Sequence, residues 1–172
     1  FDVRLFGAVM STGVAPADKV TGPLTVGLGR SFDPVLPMEL GITRTASTQV
    51  EKKDNASQMG SKTVIPYGLY AVRIHYQPTR DNQVTEADLA LLWESMVSMF
   101  DVTRSAARPN VNVRRLDVFS HESPLGNAPA VSLLDRIQVT KAEGVGQPTS
   151  FSDYLISGPD DTPPHVTHIR LA

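Results

Sequence analysis

Residues 66–100 join a strand pattern to a helix pattern, and this combination limits the folds open to the chain. Tyr70, Val72, Ile74 and Tyr76 are separated by single small or polar residues, as expected for a β-strand with one buried face. The strand is predicted to span residues 66–76. It should therefore contribute one apolar face to the core.

A capped helix is predicted shortly after this strand. Thr85 and Asp88 have the spacing of a capping box, in which each side chain binds the backbone N–H group of the other residue. The helix is predicted to end near Asp101. Five large apolar side chains recur at helical spacing and should pack against the apolar face of the strand: Leu89, Leu92, Trp93, Met96 and Phe100.

A second strand pattern lies at residues 22–32. Leu24, Val26 and Leu28 point one way, and the opposite face carries Gly27 and Gly29. Glycines on a strand allow another backbone to approach closely. Two interpretations stay open, a docking surface for a ligand chain and a bulged or bent strand.

Residues 39–65 form a long polar excursion between strand patterns. The flanks at residues 41–48 and 61–65 are predicted to be extended, and the tip should lie near residues 52–57. Loops of this length are often binding elements. The alternative interpretation is a disordered insertion.

The order of strand, excursion, strand, helix and strand predicts an α+β fold. It is compatible with the second half of a ferredoxin-like split β-α-β unit. We expect one domain over residues 1–172, with a Pro/Gly-rich C-terminal region at residues 144–172. The first strand and helix of such a fold would precede Phe1, so we expect the natural protein to begin earlier.

Composition excludes several classes of protein. Apolar residues make up 41% of the chain and charged residues 20%, which is typical of a globular protein and not of a disordered one. No apolar run approaches the roughly 20 residues that span a bilayer. The chain has no cysteine, which fits the reducing cytoplasm that we expect as its location.

Charge is distributed unevenly along the chain. Residues 1–115 carry 13 Lys and Arg against 11 Asp and Glu, whereas residues 116–172 carry 3 against 7. Residues 102–115 hold four arginines and no acid. Arginine is well suited to bidentate phosphate contacts, and a solvated surface is the alternative.

The sequence offers little support for an enzyme. His121 and Glu122 are adjacent, so on a strand they point to opposite faces. His165 and His168 lie in a proline-rich segment predicted to be a solvated tail, and we expect no metal site there. There is no phosphate-binding loop and no nucleophile elbow. We expect no catalytic residue and no cofactor.

Several runs, in this order and spacing, resemble the CRISPR-associated seven family, subtype I-C, over nearly the whole chain. They are Phe1–Met10, Gly22-Pro23 with Arg30-Ser31 and Pro34, Ile42–Arg44, Met59-Gly60, Pro66–Tyr70, Arg104–Arg108, His121–Ser123 with Leu125–Ala130, and Phe151–Tyr154.

The resemblance implies an RRM-like palm with a β-hairpin thumb at residues 39–65. It implies a subunit that polymerises along crRNA in a Cascade-type complex, contacts other subunits of that complex and presents the guide to target DNA. The implied RNA-binding residues are Arg30, Ser31, Arg44, Lys62, Arg104 and Arg108. The implied thumb residues are Lys52, Lys53 and Met59.

The chain departs from the family pattern at Thr21, Ser61 and Thr63, where we expect basic residues. If the chain binds RNA, the remaining basic residues must therefore provide more of the phosphate contacts. Two alternatives remain. One is a relative that cleaves target RNA, for which Glu51 and Asp54 are the local acids. The other is an α+β interaction module with no role in nucleic-acid binding.

Overall fold

The computed structural model of the chain describes residues 1–9, 19–44, 58–78, 83–106 and 108–172. Of Arg44, Gln58 and Met59 it describes the backbone only. The chain divides into two compact units. The first unit comprises residues 1–29, 72–140 and 156–172, and the second comprises residues 30–71 and 141–155.

The structure mixes helices with short antiparallel strand pairs, which confirms the α+β class. The helices are α1 (Asp2–Phe6), α2 (Glu86–Val102) and α3 (Ala130–Leu134). The strands are β1 (Gly7–Ala8), β2 (Val20–Thr21), β3 (Leu24–Val26), β4 (Arg30–Ser31), β5 (Met38–Arg44), β6 (Gln58–Val64), β7 (Tyr70–Ala71), β8 (Ile74–Tyr76), β9 (Asp117–His121), β10 (Gln138–Lys141), β11 (Tyr154–Ser157) and β12 (Val166–Arg170). They pair as β1–β2, β3–β8, β4–β7, β5–β6, β9–β12 and β10–β11.

The core of the first unit forms where α1, β3 and α2 meet. Leu5, Leu24 and Leu92 are its buried members. Partly buried apolar side chains pack around them: Ile74, Tyr76, Val84, Leu89, Trp93 and Met96. The predicted helix face is therefore confirmed, except that Phe100 is half-buried and lies outside this cluster.

The predicted strand at residues 66–76 is interrupted. Tyr70 begins β7 and Ile74 begins β8, with two residues between these strands outside regular structure. Ile74 and Tyr76 contact the core as predicted. Tyr70 and Val72 are about half exposed and are not among the side chains that pack around the core cluster, so the prediction that they belong to it is wrong. The period-two pattern identified an extended segment but did not locate the break.

The start of α2 follows the predicted capping box. The Thr85 hydroxyl accepts from the Asp88 N–H group at 3.2 Å, and the Asp88 carboxylate accepts from the Thr85 N–H group at 3.0 Å. Arg4 donates to the same carboxylate at 2.6 Å. The hydrogen bond from Arg4 is the main reason that the pKa of Asp88 lies well below its usual range. This one carboxylate thus connects α1 to the N-terminus of α2.

The glycine-faced strand is interrupted, because β3 ends at Val26 and β4 begins at Arg30. Gly27 lies between β3 and β4, and its N–H group donates to the carbonyl of Arg73 at 2.8 Å. A Cβ atom at Gly27 would lie 2.9 Å from that oxygen. The backbone that lies close to Gly27 is therefore that of Arg73 in the same chain, and not that of a ligand chain.

His168 does not lie in a solvated tail, whereas the side chain of His165 is well exposed. His168 lies in β12, which pairs with β9, and its Nε2 atom is 2.7 Å from the Asp117 carboxylate. Arg115 donates to the same carboxylate at 2.6 Å. Although burial opposes ionisation, these two partners hold the pKa of Asp117 below its usual value. The prediction failed for His168 because its contact with Asp117 joins residues 51 positions apart.

Candidate nucleic-acid interface

Strands β5 and β6 form the most extended feature of the second unit. They pair antiparallel over seven residues, from Met38 opposite Val64 to Arg44 opposite Gln58. The described parts of the flanks that were predicted to be extended, residues 41–44 and 61–64, therefore lie in strands. Residues 45–57 lie outside the described residues, and so do the predicted thumb residues Lys52 and Lys53.

One face of this strand pair carries three apolar side chains of β5 together with Lys62, an arrangement that was not predicted from the sequence. Met38, Leu40 and Ile42 alternate along β5 and are each about half exposed. Lys62 lies directly opposite Leu40, and residues opposite each other share a face. Ser61 and Thr63 therefore point to the other face. The alternation along β5 was the available signal, but the polar average of residues 39–65 obscured it.

Two predicted RNA-binding residues form β4. Arg30 pairs with Ala71, and Ser31 pairs with Tyr70. The Arg30 side chain is exposed, and within the described residues no carboxylate pairs with it. An exposed guanidinium without an acidic partner keeps its donors available for a phosphate.

Most other described arginines already have an acidic partner. Six of them form ion pairs with carboxylates: Arg4, Arg73, Arg104, Arg115, Arg136 and Arg170. Arg104 is among the predicted RNA-binding residues, and it lies 2.7 Å from Asp101. Both of these side chains are well exposed, so their pairing is weak and open to competition.

The predicted residues are divided between the two units. Arg30, Ser31, Arg44 and Lys62 belong to the second unit, and Arg104 and Arg108 belong to the first. Arg108 is exposed, and its N–H group donates to the carbonyl of Ser105 at 3.0 Å. The structure therefore places four of the six predicted residues in one compact unit, together with the backbone of the thumb residue Met59.

A hydrogen-bonded network around the buried Tyr154 ring follows β4 in the second unit. The Tyr154 hydroxyl donates to Asp33 Oδ2 at 2.8 Å, and Lys141 Nζ lies 3.1 Å from Asp33 Oδ1. The bond from Tyr154, followed by Lys141, holds the pKa of Asp33 below its usual value. Burial and then the Asp33 carboxylate raise the pKa of Tyr154. At neutral pH a protonated phenol thus donates to an ionised carboxylate. Sequence reasoning missed this network because its members are up to 121 residues apart.

Comparison with known protein families decides the family. The family model for the CRISPR-associated protein Cas7 matches residues 1–158. The chain belongs to the Cas7 family. A search of curated proteins finds no match. Membership of the Cas7 family implies a crRNA-binding backbone subunit that assembles with other Cas proteins into a CRISPR effector complex. The family predicted from the quoted runs is confirmed, and subtype I-C stays a prediction.

Metal sites, membrane-spanning helices and the two acids considered for cleavage were also sought in the described part of this Cas7 family chain. Among the described residues, no group of three or more His, Asp and Glu side chains has the arrangement of a metal site. The described helices include none that is long and apolar enough to cross a membrane. Glu51 and Asp54, the acids considered for RNA cleavage, lie outside the described residues.

Proposed function

We propose that this chain is the non-catalytic crRNA-binding backbone subunit of a type I-C, Cascade-like complex in the cytoplasm. Copies polymerise along the guide, hold its phosphates and leave its bases free to pair with target DNA. In this proposal the chain contains part of an RRM-like palm, and strands β5 and β6 form the base of the thumb. Other subunits of the complex are its further partners.

One observation carries the RNA-binding role of this subunit. The exposed Arg30 guanidinium has no acidic partner among the described residues, and it shares a compact unit with Lys62 and the β5–β6 strand pair. Guide sequences vary, so a backbone subunit must bind phosphates and not base edges. An exposed arginine without an acidic partner provides that kind of contact.

The direct test is to purify the protein from its native cells and characterise any RNA that it carries. We expect RNA of one uniform length with a constant repeat-derived part and a variable spacer. Protein that carries no RNA, and whose self-association is insensitive to salt, would support the interaction module. Cleavage of complementary RNA by the unaltered complex, lost on Asp54→Ala, would instead support the cleaving relative.

Replacing Arg30 with alanine should weaken RNA binding to the same extent for every sequence. Because one phosphate contact is lost, the slope of log K against log salt concentration should fall by about 0.7–1. Binding of fluorescent single-stranded RNAs of two unrelated sequences, each over a range of salt concentrations, measures both quantities.

The matched control is Arg73→Ala, which removes the same charge from an exposed arginine. Arg73 lies 2.9 Å from Asp135 and is not among the predicted RNA-binding residues. We expect Arg73→Ala to leave the salt slope unchanged. Equal slopes for Arg30→Ala and the unaltered protein, or loss of affinity for one sequence only, would contradict a phosphate contact at Arg30.

The segment between β5 and β6 should act between neighbouring copies. Replacing residues 45–57 with a short Gly-Ser turn should leave the isolated subunit folded, because the segment is polar and has little apolar surface to bury. It should reduce assembly along the guide or expose the guide to nuclease at regular intervals. Gel filtration and nuclease footprinting measure these effects. Assembly and protection equal to those of the parent would refute a thumb at this position.

A further inference from the structure

The segment that follows β4 is held by three side chains from a distant part of the chain. Tyr154 is 7% exposed, and its hydroxyl bonds the Asp33 carboxylate. Lys141 reaches the other oxygen of that carboxylate. Gln147 Nε2 donates to the carbonyl of Pro34 at 3.3 Å. These contacts start only three residues after Arg30.

Tyr154 also has an aromatic neighbour. Its ring stacks on Tyr67, with centroids 6.4 Å apart and an interplanar angle of 26°. The N–H group of Phe32 donates to the carbonyl of Leu69 at 3.0 Å, which continues the β4–β7 pairing by one step. The chain directly after Arg30 and Ser31 is therefore fixed by the backbone of one neighbouring segment and by the side chains of another.

Strand β4 needs such support because it is very short. It contains two residues and pairs with one strand of equal length. An isolated two-stranded pair is marginally stable at best. A buried hydroxyl donating to a carboxylate is a charge-assisted bond, which is stronger and more directional than a neutral one. The carboxylate that receives it belongs to the residue two positions beyond the end of β4.

We propose that Tyr154, Asp33 and Lys141 form a positioning network that holds Arg30 where it can bind a guide phosphate. This role rests on the proposed function, since it requires Arg30 to contact RNA. Tyr154 is buried and acts on RNA through the backbone of β4. It is therefore a positioning residue and not a contact residue.

The test compares Tyr154→Phe with Arg30→Ala, singly and combined, in the full chain. Tyr154→Phe removes one buried hydroxyl and changes no charge. We expect it to weaken binding of a fluorescent single-stranded RNA by roughly threefold to tenfold. We also expect the salt slope to fall towards that of Arg30→Ala, because Arg30 no longer reaches its phosphate. In the Arg30→Ala background, Tyr154→Phe should have little further effect.

This design separates positioning from a loss of folded protein. A smaller folded fraction lowers affinity by one factor at every salt concentration, so it leaves the slope unchanged. It also lowers affinity equally in both backgrounds. An unchanged salt slope together with equal losses in the two backgrounds would overturn the proposal, and so would an affinity equal to that of the unaltered protein.

Asp33→Ala provides a second variant in which general electrostatics predict the opposite result. Removing a carboxylate makes the protein more positive, which by itself favours RNA binding. Loss of the network predicts weaker binding, and we expect the weaker binding. Tighter binding by Asp33→Ala would count against the network.

The same measurements separate this inference from the proposed function. If the unaltered protein binds no RNA, the proposed function is wrong and the positioning role is wrong with it. If Arg30→Ala behaves as expected while Tyr154→Phe matches the unaltered protein, only the positioning role is wrong.

Discussion

Replacing Leu92 with alanine should lower the free energy of unfolding by about 2–5 kcal/mol. Leu92 is 3% exposed and lies in the buried cluster with Leu5 and Leu24. Truncation removes apolar contacts and leaves a cavity that close-packed neighbours fill only partly. Trp93, the one tryptophan of the chain, packs against the same cluster. Its fluorescence during urea unfolding therefore reports on the first unit.

Leu91→Ala is the matched control for this change. Leu91 is the preceding residue of α2 and is 46% exposed, so its truncation leaves no buried cavity. Surface substitutions usually change stability by less than about 0.5 kcal/mol, and alanine favours the helix. Similar losses for the two variants would show that the register assigned to α2 is wrong.

Replacing Gly22 with alanine should lower the free energy of unfolding of the same unit by about 1–3 kcal/mol or more. A Cβ atom at Gly22 would collide with the carbonyl oxygen of Leu5 and lie 2.5 Å from the N atom of Gly7. These are backbone atoms, so no side chain can rotate away to make room. The segments around Gly7 and Gly22 would have to separate, which disturbs the β1–β2 pairing.

Gly29→Ala serves as the control in the same unit. A Cβ atom there would lie 3.6 Å from a methyl group of Val72, which is an ordinary contact distance. We expect a change within about 0.5 kcal/mol, again measured by urea unfolding and Trp93 fluorescence. If Gly22→Ala is as stable as Gly29→Ala, the close backbone approach at Gly22 is wrong.

Local patterns were sufficient to predict the elements in which neighbouring residues interact. The capping box at Thr85 and Asp88 and the apolar face of α2 depend on spacings of three and four residues. Both were found as predicted, except that Phe100 lies outside the core cluster. The extended flanks of residues 39–65 were also predicted, because strand propensity and turn residues are local signals.

The same local patterns misjudged Tyr70 and Val72, because an alternating pattern does not show which apolar residues the core reaches. The positions of the predicted RNA-binding residues Arg30, Ser31, Arg44, Lys62, Arg104 and Arg108 came from the family resemblance and not from the physical pattern. Their contacts with RNA stay predictions.

The tertiary structure supplied the features that distinguish one charged or polar residue from another. Tyr154 bonds Asp33 across 121 positions, and His168 bonds Asp117 across 51. The sequence does not distinguish an arginine that is paired with a carboxylate from an exposed arginine that is not. Only the folded chain shows that Arg73 has an acidic partner, while Arg30 has none among the described residues. Such pairings depend on which distant segments pack together, and the free energy that selects them is spread over the whole fold.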